Sequence, residues 1–76
     1  MRELIETIVR HLVDRPEEVG VEEERGGRHL RVAIRVAPED RGNVIGRGGA
    51  TIQAMRTLAN SLAQRQRLRV DIDVLD

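Results

Sequence analysis

A turn of four residues with three glycines, Gly46-Arg47-Gly48-Gly49, constrains this 76-residue chain more than any other stretch. The apolar residues Val44 and Ile45 precede it, and a helical pattern begins at Ala50. Glycine adopts backbone conformations that other residues avoid, and its missing side chain leaves room at the main chain. The sequence therefore predicts a sharp turn between two helices, with a backbone that another molecule can approach closely.

The chemistry of this turn favours a negatively charged ligand. A helix that begins at about Gly49 or Ala50 directs unpaired N–H groups and the positive end of its dipole toward the turn. Arg47 adds a full positive charge, and the segment from Arg41 to Arg69 contains six arginines and no acidic residue. Although the formal net charge of the chain is zero, this segregation predicts an electrostatic footprint for phosphate.

The pattern Val/Ile-Ile-Gly-x-x-Gly-x-x-Ile around this turn resembles the signature of the KH domain, in which Ile52 occupies the last position. A KH domain is a small RNA-binding module whose Gly-x-x-Gly loop grips about four nucleotides. The resemblance covers nearly all of the chain and is closest to the bacterial single-domain KH proteins of the KhpA family. It implies one KH domain over residues 1–76.

Two segments, at about 2–14 and 50–64, have the apolar spacing of amphipathic helices, and a short helix is predicted between Pro38 and Ile45. Pro16 ends the first helix because the residue before a proline avoids helical conformation. Pro38 lies near the first turn of the second helix, where proline is tolerated. The two long helices each have one apolar face to bury, and Val44 and Ile45 pack the short helix onto the core.

Three strands complete the prediction, two of them in a hairpin around Gly26-Gly27 and the third over residues 68–74. With that turn, Val21 lies opposite Val32 and Glu22 lies opposite Arg31. The order α-β-β-α-α-β predicts an α+β fold with three helices packed on one face of a three-stranded mixed sheet. This arrangement is similar to the type II form of the KH fold.

The resemblance implies an RNA-binding surface centred on the turn, with an aliphatic floor formed by Ile45 and residues near Ile34 to Val36. Two positions, Asn43 and Ala50, depart from the basic residues that the family often carries there. The candidate binding residues are Asn43, Ile45, Gly46, Arg47, Gly48, Gly49, Ala50, Thr51, Gln53 and Arg56.

Non-catalytic binding of single-stranded RNA is the function that these features predict, and the resemblance implies an RNA chaperone or post-transcriptional regulator. The alternative is a protein-interaction module that forms homodimers, or heterodimers with a larger KH protein similar to KhpB. A further alternative is that the glycine turn only connects two helices and binds no ligand. No catalytic arrangement or metal-ligand spacing is visible, so we expect no enzyme activity, metal or cofactor. Without cysteines or a long apolar run, a cytoplasmic protein with no membrane contact is expected.

Overall fold

A computed structural model describes residues 1–75 of the chain and contains a three-stranded sheet with helices on one face. The helices and strands are α1 (Arg2–Leu12), β1 (Gly20–Gly26), β2 (His29–Arg35), α2 (Arg41–Ile45), α3 (Ala50–Ala63) and β3 (Arg69–Val74). Short 3-10 turns lie at Pro16–Glu18, Pro38–Asp40, Arg47–Gly49 and Gln64–Gln66. The predicted α+β fold and its order of elements are confirmed.

The sheet has the strand order β1-β2-β3, with β1 antiparallel and β3 parallel to the central strand. Alternate residues of each strand face the helices, as the period of two requires. The buried strand residues are Val21, Leu30, Val32, Ile34, Val70 and Ile72, and the helices cover them with Ile5, Val9, Val44, Ile52, Met55 and Ala59. An aliphatic core of this kind fixes the positions of α2 and α3, and therefore of the turn between them.

The hairpin register differs from the predicted one by two residues. Val21 lies opposite Ile34, and Glu24 rather than Glu22 lies opposite Arg31. The turn consists of Gly27 and Arg28, because Gly26 still pairs with His29 as a strand residue. Gly27 has φ +60°, and a hairpin turn with glycine at its first central position needs positive φ there alone. One glycine is therefore enough for this hairpin turn. Because the register shifts by two residues, each strand side chain stays on its predicted face of the sheet.

The face of the sheet away from the helices is charged and exposed. Across it, Arg35 Nη2 lies 2.8 Å from Glu22 Oε1, and His29 Nε2 lies 3.1 Å from Asp71 Oδ2. Exposed pairs of this kind contribute little to stability. The three consecutive glutamates of β1, Glu22, Glu23 and Glu24, are all exposed.

Helix α1 ends at Leu12, two residues before the predicted end, because its next backbone donors bind elsewhere. The N–H groups of Asp14 and Arg15 donate to the two carboxylate oxygens of Asp40, each over 3.0 Å. Helix α3 ends at Ala63 and is followed by Arg67 in a left-handed conformation, with φ 56°. The N–H of Leu68 donates to the carbonyl of Ala63 and closes this helix end.

Candidate nucleic-acid interface

Gly46 closes the turn against the first residues of α3. It has φ +79°, and a Cβ atom at this position would lie 2.7 Å from the backbone nitrogen of Thr51 and even closer to its side chain. Real Cβ atoms essentially never approach other heavy atoms that closely. The contact with Thr51 therefore requires glycine, and it holds the end of α2 directly over the start of α3.

Gly48 and Gly49 have the opposite surroundings. Both have positive φ, at +62° and +81°, but a Cβ atom at either position would meet no other atom within 4 Å. The space beside these two positions is therefore free of other protein atoms; Gly48 is exposed and Gly49 is half-buried. A ligand can reach this main chain from outside, which is the geometry that the sequence predicted.

The start of α3 adds positive electrostatic potential to this open space. Gly49 is the N-cap residue, and no side chain caps the first N–H groups of the helix. Arg47 is exposed, and within residues 1–75 its guanidinium has no ion pair. The N–H groups of Gly49 and Ala50 already donate to the carbonyls of Gly46 and Arg47, so the helix dipole and the charge of Arg47 are what suit this site to a phosphate group.

Asp40 anchors the helix that leads into the turn, a role that the sequence analysis missed. Its side chain is fully buried and accepts hydrogen bonds from the N–H groups of Asp14 and Arg15. The amide of Asn43 donates to the same carboxylate over 3.1 Å. The pKa of Asp40 is lowered, above all by the N–H of Asp14. The N–H groups of Arg15 and Asn43 and the charge of Arg15 lower this pKa further, although burial opposes the shift.

The other predicted binding residues fall into two groups. Ala50 and Gln53 are exposed on the first turns of α3 beside the glycine turn. Ile45 is half-buried against the core, and Thr51 is half-buried against Gly46. The side chain of Asn43 is directed to Asp40. Ala50 and Gln53 thus lie where a ligand in the turn would pass, whereas the others hold the turn in place.

Arg56 lies on the side of α3 that faces strand β3. Its Nε and Nη2 atoms donate to the carbonyl of Ile72 over 3.1 and 2.8 Å, and Nη2 lies 3.5 Å from Asp73. One turn further along, the amide of Asn60 binds both the N–H and the carbonyl of Val70, each over 2.9 Å. These two side chains bind the outer edge of β3, so the guanidinium of Arg56 is held at that strand.

The predicted aliphatic floor is largely inaccessible. Ile34 is 0% exposed and Val36 is 8% exposed, since both belong to the core beneath the helices. Ile45 is the member of that floor with an accessible surface. The expectation that bases rest on residues 34–36 is therefore not supported by the burial of these side chains.

Among residues 1–75, no group of three or more histidine, cysteine or acidic side chains could hold a metal ion. No helix in that range is long and apolar enough to cross a membrane.

Comparison with known proteins gives consistent matches along the whole chain. A family model described as KhpA/KhpB, KH domain, matches residues 2–74. The RNA-binding protein KhpA of Chlamydia pneumoniae is 41% identical over 76 residues, which are 100% of this chain and 97% of that protein. The RNA-binding protein KhpA of Caldanaerobacter subterraneus subsp. tengcongensis is 41% identical over 75 residues, 99% of this chain and 100% of that protein. The protein of the same name from Halalkalibacterium halodurans is 40% identical over 76 residues and the full length of both chains.

Proposed function

Because the chain belongs to the KhpA/KhpB family of KH domains, we propose that it binds single-stranded RNA at Gly46–Gly49 without catalysing a reaction. The observation that carries this proposal is the open backbone of Gly48 and Gly49, which lies at an uncapped helix start beside the unpaired Arg47. RNA phosphate is the ligand that this combination suits best. The names of the relatives point to the same ligand.

In the proposed binding mechanism, the residues in and around the turn have different roles. Gly48 and Gly49 let the RNA backbone approach the main chain, and the positive end of the α3 dipole favours a phosphate there. Arg47 contributes a charge-assisted contact to phosphate oxygens. Ala50 and Gln53 border the path of the strand, while Gly46, Thr51, Ile45 and Asn43 keep the turn in position.

The proposed biological role follows from the proposed binding of single-stranded RNA. We expect one KH domain over residues 1–76, active in the cytoplasm as an RNA chaperone or post-transcriptional regulator. The grip on about four nucleotides is short. Such a domain is suited to weak binding of many RNAs, and a second binding unit on the same RNA would raise its affinity through effective concentration.

The test is a titration of purified protein with single-stranded RNA and with duplex RNA of equal length over a range of salt concentrations. A clamp that neutralises two or three phosphates gives a slope of log affinity against log salt of about −1.4 to −2.1. A preference for duplex, or a slope several times steeper, would contradict the clamp. Both results would point instead to binding over a diffuse basic surface.

A second candidate function is a protein-interaction module that forms homodimers, or heterodimers with a larger KH protein. One observation favours it: Leu58 and Leu62, one turn apart on α3, are 45% and 52% exposed. They lie away from Gln53 and Arg56 around the helix, so both activities are compatible with one molecule. Sedimentation separates the candidates, since a concentration-dependent dimer that binds no RNA at low salt would favour the interaction module.

A further inference from the structure

The end of α3 that is distant from the glycine turn carries three exposed arginines, Arg65, Arg67 and Arg69, which we term the distal arginines. None of them forms an ion pair with another residue of the range 1–75. In this they resemble Arg47 and differ from arginines such as Arg10, whose Nη2 lies 3.2 Å from Glu6. Three guanidinium groups within five residues, none with an ion pair among residues 1–75, concentrate positive charge at this end of α3.

An open groove leads from the middle of α3 to two of the distal arginines, Arg67 and Arg69. It has a volume of about 780 Å³ and runs between the second half of α3 and the start of β3. Its lining residues include Arg56, Thr57, Asn60, Ser61, Gln64 and Arg67. These residues lie on one side of the helix, and Gln53 continues the same side toward the glycine turn.

This side of α3 is polar and contains no acidic residue over its whole length. The acid that lines the groove, Asp71, belongs to β3 and lies 3.1 Å from His29 on the outer face of the sheet. A helix of 14 residues is about 21 Å long. The distal arginines therefore lie about that far from the glycine turn, at the other end of a helix that carries no acidic residue.

The backbone at Arg67 supports a role for its charge. Arg67 follows the end of α3 in the left-handed region, with φ 56°, and it is the non-glycine residue with positive φ in the described part of the chain. Glycine, or asparagine, is the usual residue at this position of a helix end, since a side chain with Cβ is strained there. The chain thus has arginine where folding alone favours glycine.

We propose that the distal arginines form a second phosphate-binding site for the RNA strand held by the glycine turn. The strand leaves the turn, follows the polar side of α3 and reaches the distal arginines once it is longer than the clamp. This inference rests on the proposed function and deepens it, because it gives the RNA a direction and a minimum length. Affinity then rises with RNA length in two stages, one for each site.

The test compares wild-type protein with the double variant Arg65→Gln/Arg67→Gly, using single-stranded RNA of about four nucleotides and of about twelve, three times the clamp length. At about 0.1 M salt each lost phosphate contact lowers affinity roughly fivefold. We expect the longer RNA to bind at least about fivefold more weakly, with a salt slope shallower by up to about 1.4. The short RNA should bind as it does to wild type.

Two controls make the outcomes distinct. Arg2→Gln/Arg10→Gln removes the same charge from arginines that already pair with Glu6, and it should leave both affinities nearly unchanged. Arg67→Gly should fold at least as stably as wild type, so thermal melting excludes damage to the domain. Equal loss in both double variants, or unchanged binding of the longer RNA, would overturn the proposal.

Gly48→Asp distinguishes failure of this inference from failure of the proposed function. If the turn is the clamp, this variant weakens both RNAs, whatever the distal arginines do. If Gly48→Asp changes neither affinity while Arg65→Gln/Arg67→Gly weakens the longer RNA, the clamp at the turn is wrong and the arginines bind alone. If wild-type protein binds neither RNA, both proposals are rejected together.

Discussion

The change Gly48→Asp tests the open backbone of the turn with a matched control elsewhere in the chain. Gly48 and Gly27 have nearly the same φ, +62° and +60°, and a Cβ atom at either position meets nothing within 4 Å. Asp tolerates the left-handed region better than most residues, and we expect each substitution to cost about 1 kcal/mol of folding stability. In a domain of this size that corresponds to a fall of about 4–8 °C in melting temperature.

The two variants should differ in RNA binding. At Gly48 the new carboxylate would lie where we place a phosphate, and two unit charges about 6 Å apart repel by about 0.7 kcal/mol in water and about 2.8 at an effective dielectric constant of 20. A loss of at least tenfold, or about 1.4 kcal/mol, lies between these limits. At Gly27, in the hairpin turn, the same charge should change the affinity little.

The assay is a fluorescence titration with RNA of about four nucleotides, so that the clamp alone is occupied. Circular dichroism and thermal melting of both variants establish that each is folded and equally destabilised. If folded Gly48→Asp protein binds this RNA as tightly as the Gly27→Asp protein does, the turn is only a connector between two helices. The reasoning from its open backbone would then be refuted.

Three further predictions concern stability. Gly46→Ala should destabilise the fold by about 1–3 kcal/mol in chemical denaturation, because the new methyl group overlaps the backbone of Thr51. Asp40→Asn should lower the melting temperature at pH 7, and the difference from wild type should shrink as the pH falls below 3.8. The reason is that folding lowers the pKa of Asp40, so the stabilisation by its carboxylate is lost on protonation. A difference in melting temperature that does not change with pH would contradict this. Asn60→Ala should cost about 1–3 kcal/mol and speed hydrogen exchange at the amide of Val70, whose N–H and carbonyl both lose their partner.

The sequence predicted the elements well because each has a strong period. Val70 and Ile72 alternate with charged residues in β3, and Ile5 and Val9 lie one turn apart in α1. The hairpin register was predicted wrongly for a physical reason. A shift by two residues leaves each side chain on the same face, so the pattern of apolar and charged positions is equally satisfied by both registers.

The positions missed in the site depend on contacts between distant parts of the chain. Asp40 and Asp14 are 26 residues apart, and no local pattern shows that one will bind the backbone of the other. Arg56 was expected to bind RNA from the polar face of α3, and no local pattern shows that its guanidinium binds the carbonyl of Ile72 on β3. The glycine turn, by contrast, was recognisable from consecutive residues, since its conformation is imposed locally.

The bonds from α3 to β3 also limit how this sheet can grow by edge-to-edge aggregation. Asn60 and Arg56 bind backbone groups of Val70 and Ile72 that a fourth strand would need, so this edge is closed to intermolecular pairing. The other edge of the described sheet is β1, which carries the consecutive acids Glu22, Glu23 and Glu24. A second copy that paired β1 with β1 would bring these carboxylates together. Side chains on one edge and like charge on the other thus oppose fibril formation by a sheet that has only three strands.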